Sequence, residues 1–138
     1  MPIDADAAAA LWDLAPHPEG GYFRETYRSM LTATPPGWDE PRAFATSILY
    51  LLPAGARSAR HRVRGEELWL WQGGGPMRLR IEDREHVLGP DRAAGEELQI
   101  LVPAGAWQSA TPHGHAWSLV ACVVAPGFDF ADFEMAGD

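Results

Sequence analysis

The chain has 138 residues, 46% hydrophobic and 22% charged, with a formal net charge of −8. That length suits one domain with a single core, taken here to span residues 1–138. An acidic surface repels nucleic acid and anionic lipid at long range, and no apolar run reaches the ~18 residues that a membrane span needs, so neither is an expected partner.

The first stretch, DADAAAALWDL, reads as a short helix. Asp4 can accept the free amides of its first turn, the alanines favour the helical state, and Pro16 stops it. Leu11, Trp12 and Leu14 are expected to pin it to the body. Acidic residues and no basic n-region argue against a signal peptide. With a lone cysteine, Cys122, read as a small buried hydrophobe, the expected compartment is the reducing cytoplasm.

After the helix the rhythm is that of strands. Gly (14) and Pro (12) are frequent and without repeat, which implies many turns between short apolar runs and favours an all-β fold. Gly20 and Gly21 allow an unusual turn or close backbone approach. In the following GGYFRETYRS, Tyr22, Arg24, Thr26 and Arg28 share one side, and Phe23, Glu25 and Tyr27 the other. Arginine forks suit phosphates and carboxylates, so Arg24 and Arg28 are candidate ligand-binding residues; the alternative is a salt-bridged edge strand. TATPPGWDEPR is a proline-rich loop, and AFATSILYLLPAG a strand that carries Tyr50.

In ELWLWQ, parity sets Glu67, Trp69 and Trp71 on one face and Glu66, Leu68 and Leu70 on the other. Trp fills barrel volume while offering an N–H donor. A carboxylate among aromatic rings is costly to ionise, so the Glu67 pKa should rise unless a cation or donor pairs with it. His61 shares its parity and is the candidate partner. MRLRIED, EHVLGPD and EELQILVPAGAWQSATP continue the strand-turn rhythm. His86 reads as a surface strand residue, and His113 and His115 as a solvated loop. WSLVACVV is apolar on both faces, which places it in the centre of a sandwich or under a subunit interface. The tail DFADFEM can pack by its phenylalanines. Nine or ten short strands in this pattern fit a jelly roll.

The spacing of Gly55, His61, Val63, Glu67 and Gly74, followed by Pro103-Ala104-Gly105 and Gln108, resembles the two motifs of the cupin superfamily, with Val63 and Gln108 where histidines are usual. HPEGGYFRETYRS, HRVRGEELW, LVPAGAWQSA and VAPGFDFADFEMA are similar to the blocks of one subgroup, the small cupins of type five. The resemblance covers nearly the whole chain. It departs at EELWLW, where the subgroup is nearer DEIWHF, so Leu70 and Trp71 replace a His and an aromatic. The resemblance implies an all-β double-stranded β-helix (jelly-roll) barrel with a short N-terminal helix, a homodimer, and a pocket similar to that of nucleotide-sugar epimerase cupins.

The metal question follows. Val63 has no donor atom, and an amide oxygen is a poor ligand compared with imidazole. No cofactor is expected; a weakly held divalent ion would fall to His61, Glu67 and Gln108. The expected function is binding of a small anionic or sugar-like molecule inside the barrel, with metal-independent isomerase or epimerase chemistry. His61 serves as base, Glu67 orients it, and Tyr22 or Tyr50 is the acid. Trp69, Trp71 and Trp107 stack on the ligand, and Gln108 hydrogen-bonds to it. The alternatives are a binding module without turnover, a weak metal-dependent cupin enzyme, and a satisfied polar network with no ligand.

Overall fold

The computed structural model describes residues 3–137. Asp4 accepts the Ala7 amide at 2.8 Å and opens α1 (Ala5–Leu11). The strands then follow as β1 (Ala15–Pro16), β2 (Tyr22–Arg28), β3 (Thr32–Ala33), β4 (Arg42–Ala43), β5 (Thr46–Leu52), β6 (Ser58–Val63), β7 (Glu66–Gly74), β8 (Met77–Ile81), β9 (Arg84–Leu88), β10 (Gln99–Val102), β11 (Gln108–Pro112), β12 (Ser118–Ala125) and β13 (Phe133–Met135). Single 3-10 turns cover Arg92–Ala94 and Phe130–Asp132.

Six strands form one antiparallel sheet in the order β1-β2-β5-β12-β7-β10, and five form the facing sheet in the order β13-β6-β11-β8-β9. This is the all-β jelly roll expected from the pattern of short strands. The doubly apolar strand is β12, hydrogen-bonded between β5 and β7 at the middle of the larger sheet. Among the described residues no helix is long and apolar enough to cross a membrane.

Strand parity decides what faces inward. Along β5, Thr46, Ile48, Tyr50 and Leu52 point in; along β12, Ser118, Val120, Cys122 and Val124 do. The two ends of these rows have different fates. Tyr50, Leu52, Trp69, Leu79, Val102 and Val120 belong to one close-packed core at one end of the barrel. Thr46, Ile48, Glu67, Cys122 and Val124, from the other ends of the same strands, line an open cavity.

α1 lies on the outer face of the larger sheet, where Ala8 packs with Leu51 and Leu119. Trp12 meets Trp117 edge-on at 5.9 Å, and Leu14 joins the same cluster. Leu11 does not: it is 68% exposed, because the helix turns its small alanine face to the sheet. The helix also ends at Leu11, well before Pro16, with Asp13 in the left-handed region.

Candidate functional site

The cavity has a volume of about 350 Å³. His61 reaches it through an irregularity in β6. The β6–β11 register shifts between the pairs Gln108–His61 and Ala110–Ser58, so Ser58 and His61 are both buried although their parity differs. Glu67 and Val63 arrive on the expected faces of their strands and line the same space.

Gln108 stands behind Glu67. The indole Nε1–H of Trp69 donates to Gln108 Oε1 at 2.8 Å. An indole can only donate, so it must see the amide oxygen, and this fixes the orientation of the amide. The other end, Nε2, then donates to Glu67 Oε1 at 2.8 Å. Burial raises the Glu67 pKa, the positive field of His61 opposes this, the Glu19 charge adds to it, and the result is pushed up to about 7. Cys122 borders the same wall, its thiol pKa driven well up by burial.

The structure adds two residues that strand parity did not reveal. His17 and Glu19 sit on a tight turn, closed by Gly20 N–H donating to His17 O at 3.1 Å and His17 N–H donating to Gly21 O at 2.9 Å. Gly20 and Gly21 take φ of 110° and 80°. A Cβ at Gly20 would lie 2.3 Å from the Arg57 carbonyl oxygen, so only glycine lets the turn press against the start of β6. The turn drives Glu19 inward, where it is 8% exposed.

His61 Nδ1 carries one proton and has two oxygens within reach, Ala59 O at 2.7 Å and Glu19 Oε2 at 2.9 Å. The carbonyl takes the hydrogen bond, and Glu19 Oε2 remains a close charge contact without a hydrogen-bond partner. The proton on Nδ1 leaves Nε2 as the basic nitrogen of the neutral ring. Burial works against protonation of His61, but the adjacent Glu19 carboxylate and the Glu67 charge outweigh it, and the pKa is raised. His17 differs: its Nδ1 accepts the Glu19 amide at 3.0 Å, and burial lowers its pKa despite the Glu19 charge.

Several expected positions lie elsewhere. The Tyr22 hydroxyl donates to Asp6 Oδ1 at 3.1 Å and Arg24 Nε donates to Trp12 O at 3.1 Å. Both therefore face α1 on the outside of the sheet. A register shift between Glu25 and Tyr27 breaks the strict alternation expected for β2. Phe23 and Glu25, before the shift, line the cavity by ordinary alternation opposite Tyr22 and Arg24, and Arg28 joins them only because of the bulge. Arg28 is already bound there, donating to Glu25 Oε1 at 2.7 Å and to Phe128 O at 3.1 Å.

Tyr50 is fully buried in the core, and its hydroxyl donates to Gly20 O, with burial raising its pKa far out of the neutral range. Trp71 packs at the filled end and donates to Gly75 O at 3.1 Å. Trp107 lies under Arg60 and Arg62, at 5.3 and 4.6 Å from the ring centroid. Phenylalanines, rather than indoles, form the cavity walls: Phe23, Phe128, Phe130 and Phe133. Phe133 stacks on His61 at 5.2 Å and 25°.

The donor set does not fit a divalent metal. Val63 offers no donor, and the Gln108 oxygen is engaged by Trp69. Among the described residues no group of three or more His, Cys, Asp and Glu side chains is disposed around one point to hold an ion.

Comparison with known proteins agrees with this architecture. The Cupin_5 family, described as cupin superfamily (DUF985), matches residues 6–136. A solved hypothetical protein from Leishmania major is 30% identical, with a TM-score of 0.89 over 97% of this chain and 88% of its own. A protein from Shewanella oneidensis is 35% identical, with a TM-score of 0.88 over 99% of this chain and 86% of its own. A cupin-like protein from Thermotoga maritima shares the fold at 10% identity, with a TM-score of 0.60 over 91% and 81% of the two chains. No curated protein matches the chain.

Proposed function

The chain belongs to the Cupin_5 family of the cupin superfamily, and from that premise we propose that its barrel binds a small organic molecule and moves a proton on it without a metal ion. The observation that carries this reading is the pairing of two oriented groups that enter one cavity from the two facing sheets, His61 from β6 and Glu67 from β7. His61 has its proton committed to Ala59 O through Nδ1, which leaves Nε2 as base. Glu67, held near pH 7 by burial, is a carboxyl group that can donate at neutral pH. It takes the acid role expected of Tyr22 or Tyr50, neither of which lines the cavity. Glu19 is a positioning residue that raises the basicity of His61. The isomerase or epimerase class expected from the sequence is retained as the reaction type, since it needs only a base and an acid at one carbon centre.

The homodimer expected from the sequence fits the outer face of the larger sheet. Leu49, Ala121 and Leu70 stand side by side across β5, β12 and β7, and Val123, Leu68 and Leu101 across β12, β7 and β10. Each is at least partly exposed in one copy, and an apolar row of this kind suits burial against a second copy.

The test of the catalytic reading is to release and identify molecules that co-purify with the protein, then incubate them with it in deuterium oxide. Wild type should place deuterium on the ligand; His61→Ala and Glu67→Gln should still bind it and lose the exchange. Exchange that persists in both variants would remove the proton-transfer reading, and binding without exchange in wild type would assign a binding module.

A further inference from the structure

The charges around the cavity are unequal. Glu19, Glu25, Glu67 and Asp129 line it, against one arginine, Arg28, and the imidazoles of His17 and His61. Arg28 is bound to Glu25 through both ends of its guanidinium fork, at 3.2 and 2.7 Å. It offers little to a ligand anion, and Arg24 points to the other side of the sheet. Glu19 is more than nine-tenths buried and lines the cavity, and its Oε2 has no hydrogen-bond partner. His61, 2.9 Å from that oxygen, balances its charge only when protonated. With His61 neutral, as its role as base requires, the buried carboxylate is costly in the free protein, and a cation brought into the same low-dielectric space offsets that cost.

The walls repeat the same preference. Phe128, Phe130 and Phe133 stand close to perpendicular to one another. Their interplanar angles are 81°, 76° and 71°, and their centroids lie 4.9, 6.2 and 6.0 Å apart. All three line the cavity with Phe23. Each edge-to-face pair turns one ring's edge to its neighbour's face, and a ring face open to the cavity suits a weakly hydrated cation better than an anion.

We propose that the ligand of this cavity carries an organic cationic group, a protonated or alkylated amine, seated among Phe23, Phe128, Phe130 and Phe133 in the field of Glu19. The inference rests on the small-molecule reading above and narrows its ligand class, replacing the anionic molecule expected from the arginines of β2. The cationic head fits the phenylalanine box, and the rest of the molecule extends toward His61, on which Phe133 stacks.

The probes are choline, its neutral isostere 3,3-dimethyl-1-butanol and the anionic 3,3-dimethylbutanoate, titrated calorimetrically into the full chain at equal ionic strength. Choline should bind, the neutral isostere roughly tenfold or more weakly, and the carboxylate not at all. Phe130→Leu keeps the apolar volume and removes the ring face. Because Phe130 is 54% exposed, the barrel should fold normally without it, and Phe128→Leu serves as a second variant. Each should weaken choline roughly three- to tenfold and leave the neutral isostere unchanged.

Equal or tighter binding of the neutral or anionic probe overturns the cation assignment while the small-molecule reading stands. Equal losses for choline and its isostere in both variants overturn it as well. Failure of all three probes to bind also overturns it, and the reading of a bound small molecule is then judged separately by what co-purifies.

Discussion

A carboxyl group that folds with a pKa near 7 ties stability to pH. Glu67 binds its proton more tightly in the native state, about 7 against an ordinary 4.5. Its contribution is therefore full below about pH 4.5 and is lost as pH rises through 7. His61, also raised, acts with the same sign: its contribution is full below 6.5 and is lost above that as the ring deprotonates. Wild type should lose melting temperature between pH 5 and pH 8, and Glu67→Gln should flatten that slope, with on the order of 2–3 kcal/mol at stake. Thermal melts across that range decide it; an unchanged slope in the variant would contradict the buried-acid description. Gln108→Leu should cost about 2–4 kcal/mol, since it orphans both the Trp69 indole N–H and the Glu67 oxygen that now share the amide. Chemical denaturation measures that loss, and a carbonyl-stretch titration should find Glu67 protonated to still higher pH.

The turn between β1 and β2 is the element on which the site depends most. Gly20→Ala would set a Cβ against the Arg57 carbonyl in a backbone conformation that alanine resists. Backbone strain alone costs about 1–3 kcal/mol, and Glu19 is displaced from His61. The expected outcome is a lower melting temperature together with a His61 pKa that falls toward its ordinary value, read by NMR titration. A variant that melts lower and keeps the wild-type His61 titration would separate the turn from the site. This element also marks where sequence reading stops. His61 and Glu67 were legible because motif spacing and strand parity are local properties. Glu19 was not, because its direction is set by two glycines that pack against Arg57 and against Leu51 of β5, far along the chain. Tyr22 and Arg24 keep the alternation read from the sequence but on the outer face, since parity alone does not say which side of β2 meets the cavity; only Arg28 changes sides, because of a bulge that nothing in YFRETYR marks. The tail phenylalanines were legible as packing groups, but not as the cavity wall.

At the scale of the molecule, the apolar row on the larger sheet predicts self-association. Leu68→Lys, on an outward-facing position of β7, should convert a dimer to a monomer in light scattering with little change in the far-UV spectrum. A wild type that is already monomeric at high concentration would end that expectation. The jelly roll was readable in advance because many short alternating runs separated by glycine and proline leave few other solutions. The uneven filling of the barrel was not, since it depends on which end of each strand meets its neighbours. That unevenness has an evolutionary consequence. Side chains at the packed end hold the two sheets together, and truncating one leaves a void that neighbours cannot relax to fill. Those at the mouth already face empty space, so exchanging them leaves the scaffold intact. Tolerance to mutation should therefore be graded along the strands, with β5, β12 and β7 each rigidly constrained at one tip and free to diversify at the other, so that new ligand preferences can arise here without passing through an unfolded ancestor.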